Sequence, residues 1–274
     1  HDSSIESISI PSSLVELDRA WCSSTPKLNK ISVADDNPRY KLIDGQMIVG
    51  KSKIEEDEFD NLVFAIRNIE NFSIPTNIKN ICLFSFENCT SIKNVELLTN
   101  EKLQTIEEYA FKNSSIEKVS FPKSLTKISM SAFQECRRLK EVEIPKNSEL
   151  KKIDDRAFIL TSIQSISIPP HVTRIGRQAF DCSYYLVTVE IPENSELQTI
   201  ESEAFRGTDI EYFYIPCHIT KISKNTFMNC HKLQEVKLAP NSELKIIESE
   251  AFRSSKIKEI TIPSSVVILE DEWC

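Results

Sequence analysis

The residues of this chain best suited to chemistry are two Cys-His pairs, Cys217-His218 and Cys230-His231. Thiolate and imidazole are the usual ligands of tetrahedral zinc, but such sites also carry a C-x-x-C or H-x₃₋₅-H spacing, and none accompanies these pairs. The four histidines are His1, His171, His218 and His231. His171 and His218 are 47 residues apart at the same turn position of a repeat, which places them about 10 Å apart at the strand spacing of a sheet. There is no Gly-rich phosphate loop, and no Ser stands in a nucleophile-elbow context. The sequence therefore leads to the expectation of no catalytic residue, no metal and no cofactor. The chemistry left to it is recognition.

The elements that would present a recognition surface are repeats. An Ala-Phe pair or a close variant recurs, with the Phe at 86, 111, 133, 158, 180, 205, 227 and 252, so that the gaps alternate between 25 and 22. Segments such as Leu139–Pro145 (LKEVEIP) and Ile163–Pro169 (IQSISIP) recur every 23 or 24 residues. This period, with apolar residues spaced L-x-x-L-x-L, is the sequence form of a leucine-rich-repeat solenoid. The longer coils carry an Asn-Ser-Glu turn, for example 147–149 and 194–196, so the full unit is a 47-residue double coil. The expected fold is a right-handed α/β solenoid. It has a parallel concave sheet of about 11 strands, closing at Ile10, Val33, Ile74, Leu97, Phe121, Ile144, Ile168, Ile191, Ile215, Leu238 and Ile262. Ile at i and Ala at i+4 before each Phe predict a short helical or 3₁₀ turn on the convex side. Within one coil, Ile163, Ile166, Ile168, Val172, Ile175, Ala179 and Phe180 should point inward.

One stretch breaks the period. Residues 34–68 form an insertion in which Met47–Val49 and Leu62–Ile66 read as a β-hairpin, with a charged tip over 51–60. The whole chain, 1–274, reads as a single solenoid. Leu269–Cys274 aligns with Leu17–Cys22, and the first strand has no distinct cap before it, so both ends read as truncated.

The repeat, with its I-x-x-x-A-F-x-x-C phase, resembles the BspA-type leucine-rich repeat of bacterial and protist surface proteins. The insertion Asn37-Pro-x-Tyr40 followed by Asp44-Gly45 is similar to one found within that family's arrays. The resemblance spans essentially the whole chain. It implies surface display, adhesion and binding of host or matrix proteins, and it supplies no catalytic residues.

Composition narrows the partners. A net charge of −8 and scattered Lys and Arg oppose nucleic acid, and no apolar run approaches the roughly 18–20 residues of a membrane span. The expected partner is a protein (host, matrix or self), with end-to-end or homo-oligomeric association open. The expected location is the cell surface or secretion, with the cytoplasm as the alternative that free thiols would suit. Cys89, Cys136 and Cys230 lie three residues after a repeat Phe, and Cys182 two after. In one column, Cys89 and Cys136 stand two coils apart, too far for a disulfide, and small thiols filling a turn are expected. Cys82 and Cys217 are expected to be exposed. Sequons occur at Asn71, Asn88 and Asn113.

On the concave side each strand offers a pair of outward residues, and only Tyr212/Tyr214 is aromatic. Its neighbours in this reading are Thr188 and Glu190 on the preceding coil, Glu235 and Lys237 on the next, and Val187 with Tyr184 and Tyr185 leading into the preceding strand. Tyrosine joins a large contact area to a polar tip, which suits an anchor. Adjacent tyrosines also pack laterally on a sheet of small residues, so the spacing leaves contact and packing both open.

Overall fold

The computed structural model describes residues 3–70 and 72–274. His1 and Asn71, with its sequon and its concave pair Asn71/Ser73, lie outside the described residues. The chain winds as a β-solenoid of about 11 turns, and among the described residues there is no helix.

The expected helical turns are replaced by a second column of two-residue strands. Asn80–Ile81, Thr105–Ile106, Lys127–Ile128, Lys152–Ile153, Arg174–Ile175 and Thr199–Ile200 pair in parallel, and Lys221–Ile222, Ile246–Ile247 and Ile268–Leu269 form a further sheet of the same kind. The cause lies in the corner after each strand. The residue two before the repeat Phe (Tyr109, Ser131, Arg156, Gln178) and the residue two after it (Asn113, Glu135, Leu160, Cys182) hold φ between 54° and 60°. A left-handed residue cannot continue an α-helix. Here it turns the chain and aims its amide at the next coil: Tyr109 N donates to Met130 O (3.2 Å) and Asn113 N to Gln134 O (2.8 Å). Between them Phe111 N donates to Ala132 O (2.8 Å), so each corner adds its own inter-coil ladder. The i, i+4 spacing of Ile and Ala is satisfied by this double kink.

The Phe side chains fill the space inside the corners. From Phe86 to Phe252 the eight rings stack with centroids 4.8–5.8 Å apart and planes within 8°. That step is the strand spacing of a sheet, so ring stacking and backbone ladders share one period. Ile163, Ile166, Ile168, Val172, Ile175, Ala179 and Phe180 are all buried, as the coil reading requires.

The concave side is a row of three sheets, not one. Ser7–Ile10 pairs with Lys30–Val33. Five strands from Asn94–Glu96 to Thr188–Glu190 form the central sheet, and Tyr212–Ile215 pairs with Glu235–Leu238. Among the described residues the coils at Ile74 and Ile262 form no strand, and nine of the eleven expected strands are present. The first gap adjoins the insertion. At the second, an open cleft lined by Gln234–Ala239 and Lys258–Thr261 takes the place of strand pairing.

The insertion is a three-stranded meander. Met47–Gly50 pairs antiparallel with Asn61–Ala65 as expected, and the additional strand Tyr40–Ile43 is joined to it through Asp44 and Gly45, both at positive φ. Asn61–Ala65 then pairs in parallel with Asn80–Ile81, which places the meander in the second column, away from the concave face. The register shifts between Ile48 and Val49, leaving Val63 as the extra residue of a bulge. Leu62 therefore packs into the main core while Phe64, two residues on, packs with Ile10, Cys22, Tyr40 and Ile48. The meander is a wall between two cores. Arg67 crosses it, fully buried. Its guanidinium donates to the carbonyls of Cys22 (2.9 Å) and Ser85 (2.9 Å) and lies 4.5 Å from the Phe64 ring centroid.

A candidate interaction groove on the concave side

The central sheet ends at Thr188–Glu190, and no strand pairing joins it to Tyr212–Ile215. The bond from Glu211 N to Val187 O (3.4 Å) crosses this junction. At the break lies an open groove of ≈ 690 Å³. Its floor is formed by Ile144, Ile168 and Ile191, and its wall by Pro169, Pro170 and Pro192, the residues that end successive strands. Ile144 and Ile191 are only half-buried, so at these two coils the column offers apolar surface to solvent, while Ile168 between them is buried. Tyr212, 41% exposed, and the half-buried Tyr214 close one side.

Of the residues singled out in the sequence, the groove gathers Tyr212, Tyr214, Thr188, Glu190 and Lys237. Glu235 faces solvent beside Tyr212, its register partner, but does not line the groove. Val187 is half-buried outside it. Tyr184 and Tyr185 are 56% and 61% exposed and also lie outside, with Tyr184 beside Gly207 and Cys182. The sequence reading missed the Ile and Pro columns because they were assigned to the core and to turn punctuation. Their recurrence one coil apart was the available signal.

Burial, then the charge of Glu235, raises the Tyr212 hydroxyl above its ordinary value, and burial followed by Glu193 does the same at Tyr214. Both phenols are neutral donors at physiological pH, suited to hydrogen bonding and ring contact.

The reactive residues are absorbed into the scaffold. Cys136 Sγ donates to Phe111 O (3.0 Å) and Cys230 Sγ to Phe205 O (3.1 Å). In the Cys182 coil, Ser183 takes the column position instead and bonds Phe158 O (2.8 Å). Cys82 and Cys217 are half-buried, not exposed as expected: Cys82 lies beside Gly50 and Val63 of the meander, and the next coil covers Cys217, whose carbonyl accepts from Glu243 N (2.9 Å). His171 and His218 each face a Glu on the next coil, Glu196 at 2.8 Å and Glu243 at 3.4 Å, as equivalent repeat features. Among the described residues no His/Cys/Asp/Glu group has the form of a metal site. The charged tip over 51–60 is tied down: Asp60 accepts from Ser52 and pairs with Lys79, and Glu58 reaches Lys79 and Lys102. Asn88 and Asn113 bond each other at 2.7 Å on corners of adjacent coils.

A family profile described as the BspA type leucine rich repeat region (6 copies) matches residues 57–184 and 151–273. Three solved structures are similar in fold. A leucine-rich repeat protein from Bacteroides ovatus superposes with a TM-score of 0.66 at 22% identity, over 84% of this chain and 61% of that one. One from Eubacterium ventriosum gives 0.54 at 18% identity, over 98% and 58%. The pneumococcal vaccine antigen PcpA gives 0.52 at 19% identity, over 75% and 51%. The chain thus spans between about half and three-fifths of the length of these structures. No curated protein matches it.

Proposed function

This chain belongs to the BspA-type leucine-rich-repeat family, and we propose from that premise that it is a non-catalytic protein-interaction module, displayed at a cell surface or secreted. In this reading it acts as an adhesin-like protein whose concave side binds a host or matrix protein, or a further copy of itself. The observation that carries the reading is the groove at the Tyr212/Tyr214 break. There the concave columns combine an apolar floor with the aromatic side chains of Tyr212 and Tyr214. Elsewhere the same columns carry small or charged pairs, such as Asn94/Glu96 and Glu141/Glu143.

The test is binding of the purified chain to immobilised matrix proteins, to host-cell surface proteins and to itself. Tyr212→Ala with Tyr214→Ala is expected to weaken binding by at least ~2 kcal/mol, as the loss of aromatic anchors does. Asn94→Ala with Glu96→Ala, on the same face but outside the groove, should change it little. Both variants should melt like the parent chain, since these side chains lie outside the core. Equal affinity of the parent and the Tyr variant for a demonstrated ligand would remove the groove from the interaction surface. Antibody labelling of intact cells expressing the whole protein tests display.

A further inference from the structure

We propose that the groove accepts an extended peptide of about six residues, with an Arg or Lys near its centre and apolar residues on either side. This rests on the protein-binding reading above and specifies the chemistry of its ligand. The length follows from the coils that contribute. The lining begins at Ile144 and Lys146 and ends at Lys237, four coils later. At a coil step of about 5 Å this is roughly 20 Å, or some six residues of extended chain at ~3.3 Å each. The groove therefore runs across the strands, along the solenoid axis.

The apolar neighbours follow from the floor. Half-buried Ile144 and Ile191 stand two coils apart, with Pro169, Pro170 and Pro192 along the coils at Ile168 and Ile191, so they offer two shallow apolar seats with a proline wall beside them. Hydroxyls on Thr188, Tyr212 and Tyr214 can meet the backbone groups that an extended segment leaves unpaired.

The central cation follows from charge. On the neighbouring stretch of the concave face, Glu141 and Glu143 are both engaged by Lys118, at 3.3 and 2.7 Å. No ion pair among the described residues involves Glu190, Glu193 or Glu235, all exposed around the two tyrosines. Lys146 and Lys237 mark the two ends of the groove, so the uncompensated Glu190 and Glu193 fall near its middle, while Glu235 flanks the Lys237 end from outside the lining. A guanidinium or ammonium seated there gains both the carboxylates and the face of a Tyr ring. The charge of Glu193 and Glu235 already reaches the tyrosyl hydroxyls, since each helps raise the pKa of its neighbour.

The experiment uses fluorescent heptapeptide pools with the central residue fixed as Arg, Lys, Leu or Glu and the rest drawn from Pro, Leu, Val, Ala and Tyr. Anisotropy should show the Arg and Lys pools binding at least tenfold tighter than the Glu pool, with affinity falling as salt rises from ~50 to ~500 mM. E190Q/E193Q/E235Q should bring the pools to within about twofold of each other, with the melting temperature unchanged. Absence of binding by any pool, preference for the Glu pool, an unchanged ratio in the triple variant, or displacement of the peptide only by oligosaccharides would each overturn the proposal. Competition separates this from the broader reading. A protein ligand that depends on Tyr212 and Tyr214 but is not displaced by the Arg pool would sink the peptide class and leave the interaction module standing.

Discussion

The rings of Phe180 and Phe205 lie with centroids 5.4 Å apart and planes within 1° of parallel. Phe158 covers the opposite face of Phe180 at 5.5 Å, and all three rings are fully buried. Each repeat Phe is thus gripped by its neighbours on two sides, and the adjoining coils are held at fixed spacing by backbone bonds. Phe180→Ala would leave a cavity that this lattice cannot close, at a cost of roughly 3–5 kcal/mol. Denaturant melting measures it, and a loss below ~1 kcal/mol, the level of an average surface-tolerant change, would mean that the ring is not core.

The thiol column should be chemically silent. Burial pushes Cys89 and Cys230 up to about 11 and Cys136 up to about 12. At pH ~8 these thiols are almost wholly protonated and inaccessible, whereas Cys274 is exposed. Pulsed iodoacetamide labelling read by mass spectrometry should modify Cys274 first and reach Cys89, Cys136 and Cys230 only on unfolding. A Cys89–Cys136 crosslink in native monomer would contradict the two-coil separation.

Arg67 should couple the two cores. Its removal leaves the Cys22 and Ser85 carbonyls without their charged donor and opens the wall beside Phe64. Arg67→Ala is expected to cost about 3–5 kcal/mol, the range for breaking a buried charged network. Hydrogen exchange should then show Ile10 and Leu28 losing protection before Phe180. Simultaneous loss across the chain would mean that the N-terminal coils do not depend on this residue.

Acid should loosen the corners. Burial alone would raise the Glu203 carboxyl, but hydrogen bonds from Gln178 and Arg177 and the charge of Arg206 outweigh it and hold the group below its ordinary value. Burial is outweighed likewise at Glu248, by Lys221 and the Lys224 amide. A depressed carboxylate pKa stabilises the fold above the unfolded value, and that contribution is lost as pH falls through the folded one. The melting temperature should therefore drop as pH falls below about 4.5, the ordinary Glu value, and less steeply in Glu203→Gln. An identical acid profile for the two proteins would remove Glu203 from the linkage.

Much of this architecture is written in side-chain periodicity. The Phe column, the inward set around Ile163–Phe180 and the pairing of Met47–Val49 with the run that begins at Leu62 all follow from spacing, because burial imposes a period on residue type. The corners were not legible. Left-handed backbone is usually announced by Gly or Asn, yet here it falls on Tyr109, Arg156, Gln178 and Leu160. The inter-coil bond that each such amide makes holds it there, and that bond depends on the neighbouring coil, not on the residue itself. The groove was half legible for the same reason. Tyr212 and Tyr214 stood out by type, while the break in the ladder beside them, which opens the Ile and Pro columns, is a property of two coils together.

The alternation of 25- and 22-residue coils has a consequence for how such an array can grow. The pairs His171–Glu196 and His218–Glu243 recur once per double coil, each spanning from a short-turn coil to the long-turn coil after it. Deleting one coil would set two turns of the same length side by side and leave an imidazole facing the wrong loop. Deleting or duplicating 47 residues keeps every corner bond, ring and loop in phase. The heritable unit of length is therefore the double coil, and a lineage can move a binding groove along the axis in steps of about 10 Å without redesigning the surface it carries.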